Sequence, residues 1–324
     1  MKQATYILFC FLVLIFIGLY LNKNNKLIIN EPEPRWKVAA IDTVKYSRDL
    51  AREKATSKSF DLEIETQIKN IADTGATHVS IGTPYDPEFV PFLTRWVIVA
   101  RKYNLKVWFR GNFSGWEGWF EHKKITRDEH KMMVEDFIKS NGDLFEDGDV
   151  FTSCPECENG GSGDPRHNGD LVGHRQFLID EYQITKEAFR LIGKNVISNY
   201  FPMNGDVAKL VMDKDTTRSL GGVVTIDHYV FDASKLNNDL TELSILSGGK
   251  IVLGEFGAPI PDIHGKMTED EQSEWIDQTL SLISSNPNVI GINYWTNIGG
   301  STGVWSSDNS PKKAVTILTK YFKI

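Results

Sequence analysis

The chain has 324 residues, a formal net charge of −7 and 41% hydrophobic residues, enough apolar material for one large core. The acidic balance and the lack of a long basic run exclude nucleic acid as a natural partner. The three cysteines, Cys10, Cys154 and Cys157, are too few for a disulfide framework.

In chain order, residues 5–21 come first and are almost unbroken apolar, with Lys2 the one charged side chain ahead of them. The stretch is close to the minimum for a spanning helix, and no small-residue cleavage signal follows Leu21. It predicts an uncleaved transmembrane signal anchor over residues 1–21, with a cleaved secretory signal as the alternative. Lys23, Lys26, Arg35 and Lys37 behind the stretch would hold that side in the cytoplasm on a positive-inside count. The very short N-terminal tail argues instead for ordinary signal-like insertion, with the domain outside the cytoplasm. Residues 22–34 are largely polar, carry Pro32 and Pro34, and read as a tether. Residues 35–324 read as one folded domain.

From Trp36 onward, short apolar runs alternate with amphipathic stretches, the pattern of a parallel β/α architecture. The predicted strands are 37–41, 78–81, 106–110, 149–154, 195–200, 222–227, 250–254 and 289–295. The predicted helices are 60–74, 88–103, 126–140, 175–192, 206–220, 236–246, 268–285 and 311–322. In the first of these, Leu62, Ile64, Ile68 and Ile71 are the apolar set. Thr126 with Glu129, and Thr268 with Glu271, have capping-box spacing. Eight strands each followed by a helix predict a closed (β/α)8 barrel of the TIM type. A doubly wound open sheet would need a glycine-rich phosphate turn after its first strand, and none is present.

In such a barrel the chemistry gathers at the C-terminal strand ends. Polar residues follow the predicted strands there, among them Arg110, Asn112, His228, Tyr229, Asn293 and Trp295. Two ends carry a carboxylate directly after an apolar run: Cys154-Pro155-Glu156, with Glu158 two residues on, and Leu253-Gly254-Glu255. They close the fourth and seventh strands. Two carboxyls there suit a double displacement, which needs them about 5–5.5 Å apart.

Gly254-Glu255-Phe256-Gly257 resembles the nucleophile motif of glycoside hydrolase family 5, within the wider clan A. Asn293-Tyr294-Trp295 resembles the clan's eighth strand, whose Trp stacks under the sugar at the cleavage point. Tyr229 is similar to the sixth-strand Tyr that hydrogen-bonds the nucleophile. Glu156 falls where the clan has its acid/base. The resemblance implies a retaining hydrolase of β-linked gluco- or manno-configured glycans, with Glu255 as nucleophile and Glu156 as acid/base. It also implies substrate contacts from Arg110, Asn112, Glu158, His228, Tyr229, Asn293 and Trp295, and no cofactor. The chain departs from the pattern in three places. Pro155 stands where the clan has Asn. His228 and Tyr229 are adjacent, so strand alternation lets only one point straight inward. No Arg follows the second strand, and Arg110 or Arg48 is the available substitute.

Other readings stay open. Glu158 could be the acid/base in place of Glu156. Trp116, Trp119 and Trp305 are each divided between loop packing and sugar subsites. For Cys154 and Cys157 two free thiols are preferred, a local disulfide is the alternative, and zinc with His167 and His174 is a third. Asn159 to Pro165 reads as a flexible loop over the active-site mouth. The functional expectation is a retaining glycoside hydrolase at the cell membrane, or secreted, with an oligo- or polysaccharide substrate. The rival is a non-catalytic carbohydrate-binding barrel at the cell surface.

Overall fold

The computed structural model describes residues 35–323. The expected anchor over residues 1–21 and the tether over 22–34 lie outside them. Among the described residues no helix is long and apolar enough to cross a membrane.

Eight parallel strands follow in turn: β1 (Val38–Asp42), β2 (His78–Ile81), β3 (Lys106–Phe109), β4 (Val150–Phe151), β5 (Met203–Asn204), β6 (Val223–Asp227), β7 (Lys250–Phe256) and β8 (Val289–Tyr294). The sheet runs β4-β3-β2-β1-β8-β7-β6-β5. A parallel bridge between Val150 and Ile197, just upstream of β5, joins its two ends and closes the barrel. The principal helices are α1 (Phe60–Asp73), α2 (Val90–Lys102), α3 (Arg127–Ser140), α4 (Leu171–Leu191), α5 (Gly205–Val211), α6 (Ala233–Ser247), α7 (Glu269–Ser285) and α8 (Lys313–Phe322).

Strand alternation divides the apolar residues into two cores. Val38, Ala40, Trp108, Val150, Tyr200 and Val252 fill the barrel interior. Their neighbours Ala39, Ile41, Val107, Phe109, Phe151, Ile251 and Leu253 face the helices in the larger outer core. Both capping boxes form, with Thr126 and Thr268 each accepting from the backbone N–H three residues on; such a cap contributes about 1 kcal/mol.

Four expectations need correction. Leu62 is 73% exposed, because the buried face of α1 is Phe60, Ile64, Gln67, Ile68 and Ile71, about half a turn away. The fourth strand is only Val150–Phe151. The fifth is displaced to Met203–Asn204, with Ile197 alone of 195–200 in a bridge. Pro202 has no N–H to give to a ladder, and the Asn199 side chain, rather than a strand, donates to the Leu220 carbonyl at 3.0 Å. The helix expected over 206–220 is broken, because Asp213 caps a new turn by accepting from the Thr216 N–H.

Candidate active site

Arg110 sits at the C-terminal end of β3 and is buried. Its Nη1 donates to Asp42 at 3.2 Å and to the Gly254 carbonyl at 2.6 Å. Its Nη2 donates to Asp227 at 3.1 Å and to Glu255 at 2.9 Å. One guanidinium therefore ties together the ends of β1, β6 and β7. Burial works against its charge, but Asp227, Glu255 and Asp42 together hold its pKa above the ordinary value. Three carboxylates outnumber one cation. Burial first, and the charge of Glu255 next, push Asp227 well above the usual carboxylate range against the pull of Arg110. Asp42 is raised too, chiefly by burial. The arginine beside Glu255 is thus Arg110, while Arg48 stands on the rim with its guanidinium over the Trp119 ring.

Glu255 owes its aim to irregular pairing. The register of β7 slips against both neighbours near its end, where Asp227 pairs with Glu255 and Phe256 with Tyr294. A bulge of this kind turns a side chain that strict alternation would send outward. Gly254 shares the crowded interior, since a Cβ there would come within 2.5 Å of an Asp227 oxygen. The Tyr229 hydroxyl donates to the second Glu255 oxygen at 2.8 Å. Burial, then the Glu255 charge, keep that phenol protonated far above its ordinary range. His228 turns aside: its Nε2 meets Asp239 at 2.8 Å, and only its backbone N–H reaches Glu255, at the carbonyl. Trp295 stands edge-on to Tyr229 with ring centroids 6.1 Å apart, and Lys45 lies over its face.

Glu156 is held differently. It follows the short β4 in a loop, with a left-handed φ of 45°, a conformation costly for a non-glycine residue. Its backbone N–H donates to the Pro202 carbonyl at 2.8 Å. Its carboxyl accepts from the Asn159 side chain at 3.0 Å and faces the Asn204 side chain at 3.5 Å. Burial first, then the charges of Glu255 and Glu158, raise its pKa to about 7, with Arg110 and Arg48 opposing. Glu158 is 2% exposed and accepts from both the N–H and the side chain of Asn204.

Two of the expected sugar contacts have other partners. Asn293 is fully buried; its amide donates to Asp42 and the Gly254 carbonyl, and its oxygen accepts from Ser80. The Asn112 oxygen accepts from the Phe113 N–H, and His130 is 2.8 Å from it. Trp116 is buried against Phe177, and Trp305 is buried as well, so both are packing residues. Trp119 is half-buried at the rim. The loop at Asn159–Pro165 is pinned rather than free: Gly161 donates to the Trp116 carbonyl, and a Cβ at Gly161 would strike the Trp116 ring.

The preferred free thiols are corrected: Cys154 and Cys157 form a disulfide, with Cα atoms 5.3 Å apart. The sulfurs that a zinc site would use are bonded to each other, and His167 is an exposed residue beside Asp164. Among the described residues no group of three or more His, Cys, Asp or Glu is placed to hold a metal ion.

Sequence reasoning passed over Asp42, Glu117 and Asn204, and gave the strand-end Asp227 no role. Asp42 had a usable signal, since it ends an apolar run in phase with Val38 and Ala40. Glu117 had none. It rides on a single helical turn, Ser114–Glu117, docked by Asp86 accepting from the Ser114 N–H and hydroxyl. Burial raises its pKa to about 8, with Arg48 opposing and Glu156 adding to the rise.

No family model and no curated protein matches the chain. Solved structures do resemble it. A GH5_18 protein from Bifidobacterium longum, solved as a point variant in complex with Manβ1-4GlcNAc, is 13% identical, with a TM-score of 0.64 over 88% of this chain and 78% of that one. A β-D-glucuronidase of Dictyoglomus thermophilum is 17% identical, with a TM-score of 0.58 over 91% of this chain and 51% of that one. A GH2 β-galacturonidase of Eisenbergiella tayi is 15% identical, with a TM-score of 0.59 over 91% of this chain and 52% of that one. The chain spans about half the length of these two uronidases. At such identities the likeness establishes the architecture: this is a parallel (β/α)8 barrel of the form that these glycoside hydrolases carry.

Proposed function

We propose that the chain is a retaining glycoside hydrolase acting on β-linked glycans, with Glu255 as nucleophile and Glu156 as acid/base. The observation that carries this reading is the contrast between two carboxyls at the same barrel rim. Glu255 faces donors on both oxygens, Arg110 and Tyr229. Glu156 is kept protonated up to about pH 7 by burial and by the negative charge of Glu255 and Glu158. A carboxyl kept protonated near neutral pH beside one gripped by donors suits an acid–nucleophile division.

In the first step a Glu255 oxygen attacks the anomeric carbon as the bond to the leaving oxygen breaks, and Glu156 gives that oxygen its proton. In the second step Glu156 takes a proton from water, whose oxygen attacks the anomeric carbon and releases Glu255. Arg110 and Tyr229 hold Glu255 on the reaction line, and Trp295 supplies a platform for the apolar face of the ring. Asp42 and Asp227 set the charge around Arg110. No cofactor enters these steps.

The glycan classes to try first are gluco- and manno-configured β-glycans, as the clan resemblance implies. Placement outside the cytoplasm, anchored or secreted, is part of the proposal. The Cys154–Cys157 disulfide supports it, since such bonds persist in oxidising compartments. The test is a panel of β-glucan, mannan and xylan oligosaccharides followed by proton NMR of the fresh product. Release of the β-anomer first supports the reading. Release of the α-anomer, or tight binding with no turnover and no sensitivity to Glu255→Gln, favours an inverting enzyme or a non-catalytic carbohydrate-binding barrel respectively.

A further inference from the structure

We infer that Asn204 and Glu158 form a positioning pair that fixes where the Glu156 carboxyl stands and how firmly it keeps its proton. The inference rests on the proposed role of Glu156 and adds to it two residues that do not themselves meet the reacting atoms.

The geometry begins with the unusual setting of Glu156. It stands on a loop, after a strand of only two residues, with left-handed backbone. A loop residue is aimed less firmly than a strand residue. The neighbouring strand supplies what is missing. The Glu156 N–H is tied to the Pro202 carbonyl at 2.8 Å. Two residues on, Asn204 donates its backbone N–H to Glu158 Oε1 at 2.8 Å and its side-chain amide to the same oxygen at 3.1 Å. That amide also faces Glu156 Oε1 at 3.5 Å. Glu158 thus anchors Asn204 twice, and Asn204 presents its side chain to Glu156. The loop carrying the acid is clamped at two places, Pro202 just before β5 and Asn204 within it.

The electrostatic half follows from the same arrangement. The groups acting on Glu156 are Glu255 on β7, Glu158 on its own loop and Glu117 after β3, with Arg110 on β3 and Arg48 after β1 opposing them. Asp227 on β6 interacts by charge with the same cluster. The negative charge of Asp164 on the loop side acts on Glu158, and Arg166, paired to Asp164, lies in the same field. Glu158 is buried, and its second oxygen has no partner among the described residues. Burial raises the Glu158 pKa while the Asn204 donors pull it down, and the negative charge of its ionised form acts on Glu156.

The test uses the full-length chain labelled with 13Cδ-glutamate, with Glu156→Gln assigning the Glu156 signal. In Glu158→Gln the titration midpoint of Glu156 should fall by roughly one pH unit, the lower end of what a close charge produces. The basic limb of kcat/KM should move down with it. Asn204→Ala keeps the Glu158 charge; it should lower kcat roughly tenfold with KM little changed, the mark of lost orientation. Should Glu158→Gln fail to fold, Asn204→Ala decides alone. A folded Glu158→Gln with an unmoved midpoint, or Asn204→Ala with wild-type kcat, overturns the pair. Wild-type turnover in Glu156→Gln would instead remove the role proposed for Glu156, while the midpoint shift could still be read.

Discussion

The β7 and β4 ends of the barrel solve the same problem, placing a carboxyl at the rim, in opposite ways. On β7 a seven-residue strand runs to its end and a bulge turns Glu255 toward the interior, where Arg110 and Tyr229 meet it. On β4 the strand stops after two residues, and Glu156 hangs on a strained loop fastened to its neighbour β5. The first side chain is gripped by donors, and the second is surrounded by acids. A nucleophile is served by rigid placement and cationic company, an acid by burial and like charge. The contrast between the two ends is therefore chemical as well as architectural.

The largest effect that breaks this contrast is loss of the proposed nucleophile. Glu255→Gln should lower kcat about 10⁴-fold or more on any accepted aryl β-glycoside, since removing one member of a catalytic unit forfeits most of its rate. Glu156→Gln should cost less, about 10²–10⁴-fold, the range for a general acid–base group. It should also erase the basic limb of the pH profile, which in the wild type should fall near pH 7, where Glu156 loses its proton. Steady-state kinetics between pH 4 and 9 reads both.

Next comes Arg110→Met. It leaves Asp42 and Asp227 buried without their shared cation. Breaking a buried charge cluster from one side costs about 3–5 kcal/mol, and urea unfolding should show a loss of that order. A smaller loss would mean that both carboxyls are already neutral, as their raised pKa directions allow.

Glu117→Gln sharpens the comparison on the acidic side. The folded protein holds the Glu117 pKa at about 8, above its ordinary 4.5. A raised acid stabilises fully below its ordinary pKa, and that contribution is lost as the pH rises through the folded value. The variant should therefore melt with the wild type at pH 4 and about 2 °C or more above it at pH 9. Equal melting points at pH 9 would contradict the burial argument.

The smallest effect is on the Glu156 loop itself. The Cys154–Cys157 bond closes a ring of four residues, and so short a loop contributes only about 2 kcal/mol through chain entropy. Replacing both cysteines by serine should lower the melting point by a few degrees while the fold remains, as measured by calorimetry.

Where the sequence was readable, it was so for a physical reason. β1, β2, β3, β6, β7 and β8 are apolar runs of four to seven residues, and their alternation is visible without coordinates. Glu255 stands near the end of such a run, and Tyr229 just past the end of another. β4 and β5 are two residues each, and Pro202 and the Asn199 side chain replace ladder bonds there, so periodicity had nothing to register. Asn204 and Glu117 matter because of what folds against them from far along the chain, Glu158 46 positions from Asn204 and Arg48 and Glu156 acting on Glu117. Leu62 shows the same limit from the other side, since an apolar residue in a helix is not thereby a core residue.

The most direct test of the account is trapping with 2-deoxy-2-fluoro-β-glucosyl and β-mannosyl fluorides, followed by peptide mass spectrometry. The account predicts one fluorosugar per chain, on the peptide containing Glu255 and lost in Glu255→Gln. A label on Glu156, Glu158 or Glu117, or none while the same sugars are hydrolysed as substrates, would contradict it.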